Sequence, residues 1–136
     1  MAQKGDSFEI VLQEAHADWG EHRYTNSRAR RDGEGYIRIP REYAVKYCLY
    51  NENGTGRKDV LGKNIFNCVS VDGIFRGMLK SQGNSGNGDI YAKQFAGNND
   101  LRAVGTWYRE MKAEIGDVVK VVFVSPTDIE IELIRK

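Results

Sequence analysis

The sequence is poor in the features that most often announce a metal site, an anchor or a catalytic centre. It has two cysteines, Cys48 and Cys68, and their separation matches no metal-ligand spacing. Both lie in apolar surroundings, so buried free thiols are expected rather than a disulfide. No stretch approaches the roughly 18 consecutive apolar residues that a membrane-spanning helix requires. The N-terminus carries no secretory pattern, and a cytoplasmic protein is the expectation. His16 and His22, with Asp18 and Glu21 nearby, fit no strong metal-ligand motif. Gly56 and Gly62-Lys63 miss the phosphate-loop spacing by one residue and are not followed by the serine or threonine that would hold magnesium. Serine, histidine and aspartate stand at no spacing that suggests a triad. No repeat, linker or low-complexity segment divides the chain.

What remains is a chain of 136 residues, 40% hydrophobic and 29% charged, enough for one soluble domain, residues 1–136, around a single core. A net charge of +1 gives no whole-chain argument for a polyanionic partner. The distribution is uneven. From Arg23 to Lys46 seven basic residues stand against three acids, and from Gly73 to Lys112 six stand against three. From Ala113 onward the balance reverses, with five acids and three bases. Such segregation points to one basic and one acidic face.

Apolar periodicity predicts strands at Phe8–Leu12, Tyr36–Ile39, Ile65–Val71, Ile74–Leu79, Ile90–Phe95, Val118–Val124 and Ile129–Ile134. Asp72-Gly73 is a hairpin signal between the third and fourth, and Ser125-Pro126-Thr127-Asp128 turns the last pair. Pro40 sits where a helix would start, and Arg41–Tyr50 places Tyr43, Ala44, Tyr47 and Cys48 on one face. Asn51–Lys63 reads as a surface connection and Ala96–Asp100 as a polar turn. A second helix is expected over Asp100–Glu110, capped by Asn99 or Asp100 and weakened at Gly105, with Leu101, Val104, Trp107 and Tyr108 inward. Trp19, Trp107, Tyr43 and Tyr47 are expected in the core. The fold class is mainly β with short α, a seven-stranded open pseudobarrel with two short helices.

Two polar loops carry the remaining chemistry. The first, His22 to Gly33, supplies the guanidinium forks of Arg23, Arg28, Arg30 and Arg31 beside Asn26 and Ser27. The second, Lys80 to Asp89, offers Lys80, Ser81, Gln82, Asn84, Ser85 and Asn87 among Gly83, Gly86 and Gly88, which permit close backbone approach. Arginine forks read guanine O6 and N7, amides read adenine, and hydroxyls and lysines hold phosphates. Asp89 is able to accept from cytosine N4, although capping its own turn is the plainer role. Only Tyr24 and Tyr91 lie near these loops, which argues against single-stranded RNA read by stacking.

Gly35-Tyr36-Ile37-Arg38-Ile39-Pro40-Arg41-Glu42-Tyr43-Ala44 resembles the strand–helix start of the plant-type B-three DNA-binding pseudobarrel. Gly105-Thr106-Trp107-Tyr108-Arg109 followed by Ile115-Gly116-Asp117-Val118-Val119 is similar to that family's ending. The order of elements agrees over nearly the whole chain, Phe8 to Arg135. The arginine-rich first loop and the long Gly/Asn-rich second loop look more like the prokaryotic branch, the recognition or effector domains of restriction endonucleases of the EcoRII amino-terminal type. The resemblance implies double-stranded DNA gripped in its major groove by an N-arm, about residues 19–41 and including Arg38, and a C-arm, about 76–91. Arg76 would lie on the strand leading in, and Tyr91 at the far end. No cofactor or metal is implied. The chain is then a reader whose nuclease domain or subunit lies elsewhere, and its close on a strand at Ile134 fits a fragment of such an enzyme.

Two alternatives belong to other classes. Asp100 with Glu110-Met111-Lys112 has the rough form of a metal-dependent nuclease, but its Glu-x-Lys element follows a predicted helix rather than lying on a core strand. A protein-interaction barrel is the other.

Overall fold

The structure, a computed structural model, describes residues 2–13, 35–56 and 60–135. Seven strands form one nearly closed, barrel-shaped sheet: β1 (Ser7–Val11), β2 (Ile37–Arg38), β3 (Ile65–Ser70), β4 (Arg76–Gln82), β5 (Gln94–Gly97), β6 (Val118–Ser125) and β7 (Asp128–Ile134). Their spatial order is β1-β6-β7-β3-β4-β5-β2. Every neighbouring pair is antiparallel except β3 and β7, which run parallel from Asn67↔Asp128 to Ser70↔Ile131. Three short helices lie among the described residues: α1 (Arg41–Lys46), α2 (Glu52–Thr55) and α3 (Ala103–Glu110). The expected mainly-β pseudobarrel is observed, with the single turn of α2 added to the two expected helices.

The strands follow from alternation. In β6 and β7, Val119, Val121, Phe123, Ile129 and Ile131 are buried, while the residues between them are partly or fully exposed. Aromatic rings tie the inner face together. Phe66 makes edge contacts with Phe95 at 5.8 Å and Phe123 at 5.6 Å between centroids, and Phe8 stacks on Tyr43 at 5.4 Å. Burying side chains of this size contributes about 1.5–3 kcal/mol each.

The edges of the sheet are β1 and β2, and α1 joins them. It follows directly from β2, and its C-cap residue Tyr47 donates its hydroxyl to the Ser7 carbonyl of β1 at 2.8 Å. The α3 helix runs unbroken through Gly105, which packs closely on another backbone: a Cβ on Gly35 would lie 2.8 Å from the Gly105 Cα. Val104, Trp107 and Tyr108 face the core as expected, while Leu101 precedes the helix and is half-buried. Neither expected cap residue serves as N-cap; Arg102 does, and Asp100 Oδ1 accepts from its N–H at 3.0 Å. Burial pushes the Tyr108 phenol and the Cys68 thiol well above their ordinary pKa values. Both cysteines are free, but only Cys68 is buried; Cys48 is half-exposed.

Two strands depart from the sequence expectation by more than one residue. β4 begins at Arg76 and continues through Gln82, into what reads as loop. β5 spans Gln94–Gly97, four residues later than expected. Ile90 is exposed, and Tyr91 instead bridges to Tyr50 in the segment leading to α2. No helix among the described residues is long and apolar enough to cross a membrane.

Candidate nucleic-acid interface

Register fixes what surrounds the second loop. Arg38 of β2 pairs with Gln94 of β5, which pairs in turn with Gln82 of β4. Directly opposed residues project from the same face of a sheet. The adjoining row, Ile37, Phe95 and Ser81, is fully buried, so Arg38, Gln94 and Gln82 form a polar row outside the barrel.

From Gln82 the chain turns through Gly83 and Asn84, both at positive φ (106° and 68°), into a short 3-10 turn at Ser85–Asn87. Gly83 suits its place twice over, since a Cβ there would also lie 2.6 Å from Lys93 Cγ. The loop returns through Asp89, whose Oδ1 accepts from the Tyr91 N–H at 3.0 Å, the turn-capping role expected of it.

A neighbouring segment grips this loop. Asn51 is 1% exposed, and its Nδ2 donates to the carbonyls of Gly83 at 2.8 Å and Asp89 at 2.9 Å, one from each end of the loop. Its Oδ1 accepts from the N–H groups of Asn53 and Gly54, capping α2. Asn53 Nδ2 then donates to the carbonyls of Ser85 and Asp89, each at 2.9 Å. Backbone pairing continues the contact, with Asn51 N–H to Ile90 O and Ala92 N–H to Leu49 O, both 3.0 Å.

Beside the loop, Arg41 Nη1 lies 2.6 Å from Asp89 Oδ2, and its guanidinium carbon sits 5.6 Å from the centre of the Tyr91 ring. Tyr91 stacks on Tyr50 at 5.6 Å. The hydrogen bond from Arg41, with that from the Tyr91 N–H, holds the Asp89 carboxyl below its ordinary pKa.

The grip falls on backbone carbonyls. The side chains of Gln82, Asn84, Ser85 and Asn87 make no hydrogen bond among the described residues and are half or fully exposed. Lys80 lies on the outer face two residues before Gln82, half-buried. Two candidates stand apart. Ser81 is fully buried and its hydroxyl donates to the Tyr50 carbonyl at 2.7 Å, so it belongs to the loop's support rather than its outer surface. Arg76 is exposed at the opposite end of β4, about 20 Å from Gln82 at the rise of a strand.

Arg23, Asn26, Ser27, Arg28, Arg30 and Arg31 of the first loop, with Trp19, lie outside the described residues. The return of that loop is anchored at Gly35 against Gly105 and at Tyr36, whose carbonyl accepts from the Tyr108 hydroxyl at 2.7 Å. Asp100 and Glu110 fall before the start and at the end of α3, so about ten residues of rise, roughly 15 Å, separate them. Among the described residues no three histidine, cysteine or acidic side chains come close enough to share a metal ion.

Sequence reading missed Asn51, Asn53 and Gln94, and placed Arg41 at the end of the N-arm without naming it as a contact. Asn51 carried a visible signal, an asparagine opening Asn-Glu-Asn-Gly as a helix cap would. No known protein-family profile matches the chain, and no curated protein matches it in sequence.

Proposed function

We propose that the chain reads double-stranded DNA in sequence-specific fashion through the major groove, with two arms on a B-three-like pseudobarrel. It acts as the recognition or effector domain of a cytoplasmic restriction endonuclease whose nuclease chemistry lies in another domain or subunit. One observation carries the reading: the second loop is held by its carbonyls, so its amide and hydroxyl side chains are presented outward without being needed for the fold. A fixed loop orders little on binding, which leaves more of the contact energy for discrimination. Arg38, Gln82 and Gln94 extend the same polar surface, and amides and guanidinium groups are the side chains that read adenine and guanine edges.

Selection from a random duplex library at two salt concentrations tests this. A defined motif that persists at the higher salt is expected. Enrichment of every duplex alike, lost steeply with salt, would reveal a generic polyanion binder. Replacing Asn84-Ser85-Gly86-Asn87 by a short turn should abolish the motif while the barrel stays folded.

A further inference from the structure

We propose that Arg41, at the helix start where the N-arm ends and outside both loops, is a further base-reading residue, its guanidinium held by Asp89 and directed at a guanine edge. The inference rests on the DNA reading above and deepens it.

Position is the first support. Arg41 opens α1 two residues after Ile39, whose N–H donates to the Lys93 carbonyl at 2.9 Å. It therefore stands where the return of the first loop meets the end of the second. Its side chain is 62% exposed although one nitrogen is engaged. Nη1 is taken by Asp89, while Nε and Nη2 make no hydrogen bond among the described residues. Those two nitrogens are adjacent donors of the kind that meet guanine O6 and N7 together.

The state of the charge decides between a base and a phosphate. A carboxylate 2.6 Å from the guanidinium offsets much of its charge at distances long compared with the pair. An approaching phosphate would meet that carboxylate's repulsion as well as the arginine's attraction. A base edge is neutral, and the pair offers it undiminished donors. Asp89 is itself fixed, its carbonyl held by Asn51 and Asn53 and its Oδ1 by the Tyr91 N–H. With the Tyr91 ring 5.6 Å from its carbon as well, the guanidinium is restrained before any ligand arrives. The free loop side chains lie on the segment that Asp89 closes, so the reader and its loop share one support.

The test begins with a duplex selected by the wild-type chain from a random library, compared with a scrambled duplex of the same composition. Arg41→Lys keeps the charge and loses the fork. The pair Arg41→Gln with Asp89→Asn removes both charges and leaves the net charge unchanged. Both variants are expected to bind the selected duplex about tenfold more weakly or worse. Both should bind the scrambled duplex as the wild type does, with the same dependence on salt. The preference lost should map to a single G·C position on reselection. Two results overturn the inference while leaving the DNA reading intact. One is a double variant that loses affinity equally for both duplexes with a salt slope lower by about one, the mark of a phosphate contact. The other is unchanged preference in both variants, which makes Arg41–Asp89 a support for the loop only. A wild-type chain that selects no motif overturns both. Melting curves are recorded alongside, and Arg41→Lys, which retains the ion pair, carries the test should the double variant melt early.

Discussion

The turn at either end of β4 contains glycine and aspartate, yet the two are held in opposite ways. At the β3–β4 turn the side chains do the holding. Asp72 Oδ1 accepts from Ser70 Oγ at 2.6 Å and from the Ile74 N–H at 2.8 Å, and Oδ2 accepts from Trp107 Nε1 at 3.0 Å. Ser70 Oγ in turn accepts from the Phe75 N–H at 2.9 Å. The turn's polar side chains are thereby consumed, and the turn is pinned to α3 and the core. Beyond the other end of β4, residues outside the loop grip its backbone, and most of its side chains are left over. A turn that spends its side chains on its own shape has few to offer a ligand; a loop shaped by its neighbours has many.

Breaking the first arrangement should cost most. Trp107→Ala removes a side chain that is 1% exposed together with the partner of Asp72, and a loss of about 3–5 kcal/mol is expected. It should appear as a lower urea midpoint for the whole barrel. Asn51→Ala should cost less, about 1–3 kcal/mol, by leaving the Gly83 and Asp89 carbonyls and the Asn53 and Gly54 amides short of partners. Its damage should also be local. Hydrogen exchange at Asn87, Gly88 and Asp89 is expected to quicken while β6 and β7 stay protected. Uniform quickening would mean that the loop is not separately held.

These two residues also mark what the sequence makes legible. Trp107 was readable as core because it falls with Val104 and Tyr108 on one helical face, and the β6–β7 hairpin was readable from strict alternation. Asn51 offered only the signal of a helix cap; its grip on the loop was not readable, because its partners stand 32 and 38 positions away and polarity alone suggests a surface turn. The misplacement of β5 has the same origin. Ile90 and Tyr91 carry strand-forming side chains, but the 49–51 segment takes their backbone pairing before β5 begins. Gly97 reads as a turn, yet it closes β5 where a Cβ would collide with the Asp100 carbonyl oxygen. Arg41 reads only as the end of the N-arm and the start of a helix until the fold brings Asp89, 48 positions on, beside it.

Acid titration sharpens the comparison at smaller amplitude. Burial pushes the Asp72 carboxyl up, but hydrogen bonds from Ser70, the Ile74 N–H and Trp107 outweigh it and leave the pKa lowered. Asp128 is lowered by Ser125, Asn67 and Thr127. Asp89 is lowered chiefly by Arg41. A carboxyl whose folded pKa is depressed stabilises the fold above its unfolded value, and that contribution is lost as pH falls through the folded value. Urea midpoints should therefore be flat from neutrality to about pH 5 and fall below about pH 4. Asp72→Asn should flatten the fall more than Asp89→Asn, because Asp72 ties the hairpin to α3 while the Arg41–Asp89 pair holds only a surface loop. An equal effect from both would erase the distinction between a turn that secures the barrel and a loop that rides on it.

The smallest effect on stability is expected at Asn87, and it bears most directly on function. Its side chain is exposed and makes no hydrogen bond among the described residues, and its backbone N–H is bonded to the Asn84 carbonyl whatever the side chain. Asn87→Ala should leave the unfolding free energy within about 0.5 kcal/mol of the wild type, read from urea melts. A side chain that does nothing for the fold stands here beside three others in the same condition, on a backbone that four hydrogen bonds from Asn51 and Asn53 hold in place. If those side chains read a duplex, Asn87→Ala should relax the preference at one base pair, and the motif reselected by the variant should differ from the wild-type motif there alone. A variant equally stable and equally selective would remove Asn87 from the reading surface and leave Gln82, Asn84 and Ser85 to carry it.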